Sequence, residues 1–309
     1  MSEAIRDVII VGGGPAGLTA GIYTSRERLN TLLLEKEMCG GLPATTELIE
    51  NYPGFPEGIN GAELMNKFKE QAERLGLKIN EFEEVKKVEP AAKIIRIKTE
   101  KKEYSAHAVI VTSGSVPKRL NVPGEQEFRG KGVSYCATCD GPLFRDKDVT
   151  VIGCGNSGLQ EGEALLKHAR NITFVEFLPY MTAAKILQER LQKNKNIVFL
   201  LNHILTSING DTKVNSVKVK DRQTNEKKEI ETSGVFIYAG FLPNSKFLED
   251  VAKLDKAGYV IVNEKMETST PGIYAAGDVC LKNVRQIDTA CGDATIAAIS
   301  VREYIKGLK

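Results

Sequence analysis

The sequence has no long hydrophobic run, since no apolar stretch approaches the ~20 residues that a membrane-spanning helix needs. A signal-peptide pattern is also missing, because Ile5-Arg6-Asp7 leads directly into an apolar, strand-like stretch. Little net charge remains: 42 Lys and Arg stand against 40 Asp and Glu, which leaves +2, and no basic block stands out. These absences predict a cytoplasmic protein that neither crosses a membrane nor binds nucleic acid.

Cysteine and histidine are also scarce, with six cysteines and three histidines in 309 residues. Six cysteines in a chain this long do not form the disulfide framework of a small secreted protein. Structural zinc sites need four ligands, and beyond Cys136-x-x-Cys139 no second pair has the spacing of metal ligands. We therefore expect no metal. The remaining cysteines are interpreted as small buried residues, namely Cys39, Cys154, Cys280 and Cys291.

The sequence Cys136-Ala137-Thr138-Cys139-Asp140 is the most informative motif that is present. Two thiols separated by two residues can close a small, reducible disulfide. In a reducing compartment such a pair is more often catalytic or metal-binding than structural. The carboxylate of Asp140 follows the pair directly and can move the protons that disulfide chemistry requires. The motif therefore predicts a redox centre.

An internal repeat surrounds this motif. Residues 7–18 and 148–159 each contain an apolar strand, a tight glycine turn and the start of a helix. In the first copy Gly12 makes the turn, Gly14 lets the backbone approach a pyrophosphate, and Gly17 allows close packing of helix on strand. The second copy keeps all three glycines, namely Gly153, Gly155 and Gly158. We therefore expect two dinucleotide-binding folds in a chain long enough for two domains.

Local patterns predict the elements around the first glycine turn. A helix is expected over residues 18–28 and an amphipathic helix over residues 62–75. The strand between them ends at Glu35, at about the ~20-residue spacing expected of an acid that binds ribose hydroxyls. Further along the chain, residues 103–105 and 107–112 are predicted as two separate strands.

Two segments combine glycine with proline, at residues 114–117 and 240–244. Interpreted as domain crossings, they predict that the second nucleotide fold is inserted into the first, which the C-terminal part then completes. Two ordinary surface turns would explain the same composition, so both interpretations stay open at this point.

Further motifs carry a resemblance to a known family. Residues 270–278 end in Gly-Asp and resemble the two-dinucleotide-binding-domain flavoproteins, in which this Asp binds the ribityl chain of FAD. Residues 134–141, residues 50–54 and Arg285-Gln286 resemble the low-molecular-weight thioredoxin reductases, and the match runs nearly end to end.

The resemblance implies a fold and a set of binding residues. The fold is α/β, with two Rossmann-like, three-layer ββα domains. An FAD domain at 1–115 and 242–309 is interrupted by an NAD(P)H-binding-like domain at 116–241 that carries the dithiol, and the family is usually homodimeric. The residues implied in FAD binding are Gly12, Gly14, Pro15, Ala16, Gly17, Glu35, Gly41, Leu42, Asn51, Gly114, Gly277, Asp278, Arg285, Gln286 and Ile287. Those implied at the second nucleotide site are Gly153, Gly155, Asn156, Ser157 and Glu176.

The resemblance also implies a direction for the dithiol. Cys139 would face the flavin and accept its electrons, whereas Cys136 would attack the disulfide of a thioredoxin-like partner and form a mixed disulfide. Cys139 would then resolve that mixed disulfide, and Asp140 would be the general acid and base. The implied activity is that of an FAD-dependent thioredoxin reductase.

Two stretches depart from the family's pattern. Where the family has a His-Arg-Arg cluster that holds the 2′-phosphate of NADPH, residues 175–181 contain no cation and instead have Glu176. This acid would repel a 2′-phosphate, while it could accept hydrogen bonds from a free ribose diol, so NADPH is disfavoured. NADH, reduced ferredoxin and a reduced deazaflavin remain as donors, the last two with a vestigial second fold. Leu42 stands where the family has a Gln that approaches FAD. The side chain of Leu42 cannot form a hydrogen bond there.

Several alternatives stay open at the level of sequence. The protein could be an ordinary NAD(P)H-dependent thioredoxin reductase. Its acceptor could be a glutaredoxin-like protein or a peroxiredoxin module. A flavin-binding redox sensor, whose dithiol cycles without turnover, is the non-catalytic alternative.

Overall fold

The computed structural model describes residues 5–91 and 93–308. Within this part of the chain two compact units are separated. The first contains the described residues of Met1–Ala44, Leu48–Val116 and Leu242–Lys309, and the second contains Thr45–Glu47 and Pro117–Phe241.

Strands and helices alternate along much of the chain. The strands are β1 (Arg6–Val11), β2 (Thr31–Leu34), β3 (Lys78–Asn80), β4 (Val85–Ala91), β5 (Ile94–Thr99), β6 (Glu103–Val111), β7 (Ser115–Pro117), β8 (Val133–Ser134), β9 (Asp148–Ile152), β10 (Asn171–Val175), β11 (Ile197–Leu200), β12 (His203–Gly210), β13 (Val214–Asp221), β14 (Lys227–Glu231), β15 (Gly234–Ile237), β16 (Phe241–Pro243) and β17 (Ile273–Ala275). The helices are α1 (Pro15–Arg26), α2 (Gly61–Arg74), α3 (Ala137–Asp140), α4 (Asn156–Leu165), α5 (Lys185–Gln192) and α6 (Ile287–Leu308).

The first unit is built on a sheet in the order β3-β2-β1-β6-β5-β4, with β17 beside β6. β1 is parallel to both β2 and β6. Val8 and Ile10 belong to the core that contains α1 and α6 side chains, whereas Ile9 and Val11 belong to the core on the other side. Both faces of β1 are therefore buried, which explains its unbroken apolar sequence.

One expectation about the first unit is wrong. Residues 103–105 and 107–112 were expected as separate strands, but Glu103–Val111 form the single strand β6. At Ala106 the strand pairs with β5 in antiparallel fashion and with β1 in parallel fashion. Every second side chain is buried in the first half of β6, whereas all side chains are buried at its end. The sequence of this one strand therefore has two hydrophobic patterns and resembles that of two strands.

Both predicted helices of the first unit are present, with shifted ends. α1 begins at Pro15 rather than at residue 18, because proline fits the first helical position, where its missing N–H is not needed. α2 begins at Gly61, after Asn60, whose side chain accepts hydrogen bonds from the N–H groups of Ala62 at 3.0 Å and Glu63 at 3.2 Å.

The second unit repeats the strand order of the first. Its parallel sheet has the order β11-β10-β9-β15-β8, and β12-β13-β14 form an antiparallel sheet. β9, β10 and β11 correspond to β1, β2 and β3. In each set the strand before the glycine turn pairs with the second strand, and the second strand pairs with the third. The prediction of an α/β protein with two Rossmann-like folds is therefore confirmed. The two Gly/Pro segments contain β7 and β16, which pair with each other.

Candidate active site and nucleotide-binding turns

The two cysteines of the C-x-x-C motif lie at α3 and are joined as a disulfide, with their Cα atoms 5.4 Å apart. Cys136 is the N-cap of α3, and its Sγ accepts a hydrogen bond from the N–H of Cys139 at 3.2 Å. Cys136 is half-buried and Cys139 is exposed. The local helix turn therefore brings together the two sulfur atoms that the sequence singled out.

Asp140 ends α3, and a serine holds its side chain. The Ser134 hydroxyl donates a hydrogen bond to the Asp140 carboxylate at 2.6 Å, and its oxygen accepts the N–H of Cys136 at 3.1 Å. Ser134 is buried at the end of β8. It therefore fixes the carboxylate of Asp140 relative to the backbone of Cys136, a function that the sequence analysis did not assign to it.

A buried acid lies behind α3 and was also missed from the sequence. The Glu161 carboxylate, on α4, accepts a hydrogen bond from the N–H of Ala137 at 3.0 Å. The Tyr238 hydroxyl accepts a bond from the same N–H at 2.9 Å and lies 3.3 Å from Glu161 Oε2, to which it donates. Burial raises the pKa of Glu161, although the bonds from Ala137, Tyr238 and the Thr138 backbone act in the opposite direction.

The first glycine turn has the close approaches that require glycine. Gly12 has φ of +109°, and a Cβ atom there would lie 2.4 Å from the Thr112 carbonyl oxygen. A Cβ on Gly17 would lie 1.8 Å from the Gly12 carbonyl oxygen. Gly14 is the N-cap of α1, which has Pro15 at its start, no side-chain cap and no acid in its first turn. The N–H groups in the first turn of α1 can therefore bind an anionic phosphate.

Glu35 closes this turn from the next strand. Its Oε2 accepts the N–H of Gly13 at 2.6 Å, and its Oε1 accepts the N–H of Glu37 at 2.9 Å. The carboxylate is half-buried at the end of β2, where the sequence predicted a ribose-binding acid.

Other residues that were predicted to bind FAD lie beside this turn. A Cβ on Gly41 would lie 3.2 Å from the Gly14 Cα, and a Cβ on Gly277 would lie 3.0 Å from the Ala16 Cβ. These distances place the Gly41 loop and the start of the Gly277 segment against the turn that opens α1.

A second contact joins residues that are far apart in sequence. The Asn51 amide donates to the Gln286 side-chain oxygen at 2.8 Å across 235 positions. Asp278 is half-buried, and this burial raises its pKa, while Lys282 and Arg285 act in the opposite direction. The Arg285 guanidinium lies over the Tyr259 ring, 4.1 Å from its centre.

The remaining predicted residues lie at the starts of local elements. Leu42 begins a 3-10 turn, Ile287 begins α6, and Gly114 has φ of +64° with open space where a Cβ would stand. Taken together, glycines that admit no Cβ, an uncapped helix start and an acid at the end of β2 fit FAD.

The second glycine turn has nearly the same backbone as the first. Gly153 has φ of +106°, and its Cβ would lie 2.3 Å from the Tyr238 carbonyl oxygen. Gly155 is the N-cap of α4 without a side-chain cap. Asn156 accepts the N–H of Ala184 at 2.7 Å, so its side chain links the start of α4 to α5. Ser157 lies in the first turn of α4.

Glu176 repeats the contacts of Glu35. Its Oε2 accepts the N–H of Cys154 at 2.6 Å, and its Oε1 accepts the N–H of Leu178 at 2.9 Å. These distances equal those at Glu35, and the residue is only 8% exposed. The acid is therefore built into the second turn as the structural counterpart of the first.

In the structure a cation lies beside residues 175–181, which contain none of their own. Arg222, just after β13, stacks on Phe177 with 3.6 Å from the guanidinium carbon to the ring centre. It also donates to the Phe177 carbonyl oxygen at 3.0 Å. Arg222 lies 45 positions after Phe177 in the chain, so local spacing in the sequence does not predict this contact.

The other cysteines have unreactive surroundings. Burial is the main cause that raises the pKa of each thiol, to about 12 for Cys39, Cys154 and Cys280, and also upward for Cys291. Cys154 and Cys280 are buried as expected, but Cys39 and Cys291 are only half-buried. All four are poor nucleophiles near neutral pH, because the thiolate is the reactive form.

Two negative findings apply to residues 5–91 and 93–308. No group of three or more His, Cys, Asp or Glu residues in these ranges could hold a metal ion. No helix in the same ranges is long and apolar enough to cross a membrane.

Comparisons with known proteins match nearly the whole chain to one family. The sequence profile of the pyridine nucleotide-disulphide oxidoreductases matches residues 6–294. The chain is 44% identical to a thioredoxin reductase of Bacillus subtilis, over 99% of this chain and 97% of the relative. It is 40% identical to the 34.2 kDa protein in the rubredoxin operon of Clostridium pasteurianum, over 97% of both chains. A crystal structure of Lactococcus lactis thioredoxin reductase has a TM-score of 0.96 and 39% identity, with 98% of this chain and 99% of that chain covered.

Proposed function

Because the chain belongs to the pyridine nucleotide-disulphide oxidoreductases, and among them to the thioredoxin reductases, we propose that Cys136 and Cys139 pass electrons from FAD to a thioredoxin-like protein. The observation that carries this proposal is the disulfide at the start of α3, with the carboxylate of Asp140 held directly beside it.

FAD is the cofactor of this family, and when bound it supplies the electron pair that opens the disulfide. The chain would hold the pyrophosphate at the start of α1 and the ribose hydroxyls at Glu35. Asp278 would accept hydrogen bonds from the ribityl chain. Its partly buried position and nearby Lys282 and Arg285 distinguish it from a solvent-exposed acid.

The dithiol transfers two electrons in two exchange steps. The Cys136 thiolate attacks one sulfur of the partner's disulfide, which forms a mixed disulfide and releases the first partner thiolate. The Cys139 thiolate then attacks Cys136 Sγ, which releases the second partner thiolate and restores the Cys136–Cys139 bond. The partner thus gains two electrons and two protons, and Asp140 moves protons between the sulfurs and water.

One observation favours a second assignment of the two sulfurs. Cys139 is exposed in the disulfide form, whereas Cys136 is half-buried. Access also controls thiol–disulfide exchange, so Cys139 is the alternative for the sulfur that meets the partner. The two assignments differ in which single serine variant retains a thiol that can be trapped on the partner.

Trapping tests both assignments in one experiment. Cys139→Ser and Cys136→Ser holoproteins are reduced and mixed with oxidised thioredoxin, and the mixed disulfides are mapped by mass spectrometry. We expect a stable complex through Cys136 in the Cys139→Ser variant alone, and both variants to lose turnover. Cys291→Ser is the control and should keep full turnover. A wild-type rate in either dithiol variant would contradict the proposed route.

For the electron donor we propose a species other than NADPH. Glu176 places a buried negative charge at the second glycine turn, where a 2′-phosphate would meet it. Arg222 is a cation that would attract a 2′-phosphate, but its guanidinium stacks on the ring of Phe177 and donates to the carbonyl oxygen of that residue. The name of the Clostridium pasteurianum relative, which refers to a rubredoxin operon, supports a donor other than NADPH. NADH, ferredoxin and a reduced deazaflavin are the candidates.

We also propose a homodimer in the cytoplasm, as in the family. Sedimentation of the FAD-loaded protein should give a mass near twice that of one 33.9 kDa chain. A concentration-independent mass near one chain would contradict the dimer.

A further inference from the structure

The buried acid behind the dithiol has no role in the exchange steps described above. Glu161 lies on α4, one turn beyond the second glycine turn, and is 8% exposed. Burying a carboxyl group is costly unless it is well hydrogen-bonded. Besides the Tyr238 hydroxyl, the donors to Glu161 belong to the backbone that joins Cys136 to Cys139, namely Ala137 at 3.0 Å and Thr138.

These backbone groups are the donors closest in sequence to the first redox sulfur. In a reduced C-x-x-C helix, the N–H groups that follow the first cysteine stabilise its thiolate. Here one of the donors already bonds to Cys136 Sγ, from Cys139 at 3.2 Å. The other two, the N–H groups of Ala137 and Thr138, are directed to Glu161 instead, and Ala137 also donates to the Tyr238 hydroxyl at 2.9 Å.

We propose that Glu161 is a positioning residue that fixes α3 through its backbone and, by its charge, controls how readily the Cys136 thiolate forms. An ionised Glu161 opposes a second negative charge at Cys136, and a protonated Glu161 removes that opposition. The protonation of Cys136 therefore also depends on Glu161, a buried acid that takes no part in the exchange steps. This inference rests on the proposed function only in taking the dithiol as the redox centre.

Other titratable groups face Glu161 and enter its pH dependence. The Tyr238 hydroxyl donates to it, Asp140 acts on Tyr238 from α3, and Glu47, grouped with the same unit, raises the pKa of Glu161. Burial raises the pKa of both Glu161 and Tyr238. Tyr238 therefore stays neutral and donates a hydrogen bond to Glu161 near neutral pH.

The matched substitution is Glu161→Gln, which keeps the size and one acceptor oxygen but removes the charge. Fully reduced holoprotein is treated with iodoacetamide between pH 5 and 9, and alkylation of Cys136 is quantified by mass spectrometry. Glu161 binds the N–H of Ala137, the residue next to Cys136, and removing a like charge from such a neighbour lowers a thiol pKa by about one unit. We therefore expect the alkylation midpoint to fall by about one unit, so that Cys136 reacts about tenfold faster below its pKa.

Two further variants make the result specific. Glu163→Gln changes another acid of α4, one that pairs with Arg190 rather than with α3, and should leave the midpoint unchanged. Tyr238→Phe removes one acceptor from Ala137 and one donor from Glu161, and should lower the midpoint by less than Glu161→Gln does.

An unchanged midpoint in folded Glu161→Gln protein, or an equal shift in Glu163→Gln protein, would overturn the proposal. If Glu161→Gln fails to fold or to retain FAD, an unchanged midpoint in Tyr238→Phe has the same meaning. No thioredoxin and no donor enter the assay, so a wrong acceptor or donor would leave this outcome unaffected.

Discussion

Replacing Glu176 by alanine removes the acceptor of two backbone N–H groups, those of Cys154 and Leu178. Hydrogen bonds to a charged group contribute about 1.5–3 kcal/mol each, and at 8% exposure water does not freely replace the carboxylate. We expect local opening of the second turn to become easier by about 1.5–3 kcal/mol at each amide. This corresponds to amide hydrogen exchange that is faster by about 10- to 150-fold.

Hydrogen exchange measured by mass spectrometry on peptides that contain these two amides tests this magnitude. Glu35→Ala should give a smaller effect in the same direction at the first turn, because its two bonds have the same lengths but its carboxylate is only half-buried. Glu189→Ala, an exposed acid on α5, should give none. Unchanged exchange in Glu176→Ala would refute the claim that the acid supports the turn.

A second substitution at Glu176 separates the possible donors. If NADH is the donor, Glu176→Gln removes the charged acceptor of its ribose hydroxyls, and KM for NADH should rise about tenfold or more. If the second fold is vestigial, turnover with reduced ferredoxin or reduced deazaflavin should stay within about twofold of wild type, while the turn still loosens. A gain of rapid NADPH turnover would show that charge repulsion alone excluded this donor.

Further variants test other contacts of the site. Ser134→Ala should lower kcat with thioredoxin about tenfold, because Asp140 loses the hydroxyl bond that orients it. Gly12→Ala should abolish FAD retention, read from flavin absorbance after gel filtration, since its Cβ would strike backbone at 2.4 Å. Gly292→Ala has open space in α6 and should keep FAD while raising the free energy of unfolding by up to about 1 kcal/mol. Arg222→Ala should leave reduction of the flavin by NADPH as slow as in wild type. If the wild-type rate with NADPH proves appreciable and the variant loses most of it, Arg222 contacts the 2′-phosphate.

The sequence predicted those parts of the site whose geometry is local. The turn from Gly12 to Gly17 could be predicted because its steric demands act within one strand-turn-helix unit. Glu35 could be predicted because the next parallel strand ends beside that turn. The disulfide of Cys136 and Cys139 lies within one turn of α3. In each case, the residues that meet are separated by a spacing that secondary structure fixes.

The missed residues meet through the order of the strands rather than through local spacing. Tyr238 reaches Ala137 across 101 positions, because β15 lies between β8 and β9 in the sheet. Arg222 reaches Phe177 because an antiparallel hairpin returns it to the end of β10. No periodic pattern signals such contacts. Glu161 resembled an ordinary polar position of an amphipathic helix, and only its burial distinguishes it.

The most direct test of the account follows electrons into the flavin. Oxidised holoprotein is mixed anaerobically, in separate experiments, with NADPH, NADH, reduced ferredoxin and a reduced deazaflavin, and flavin bleaching is recorded over time. Oxidised thioredoxin is then added, and its thiols are counted. We expect slow bleaching by NADPH, rapid bleaching by at least one other donor, and two new thiols on thioredoxin per electron pair. Rapid bleaching by NADPH would contradict the function assigned to Glu176, and a bleached flavin that leaves thioredoxin oxidised would contradict the function assigned to the dithiol.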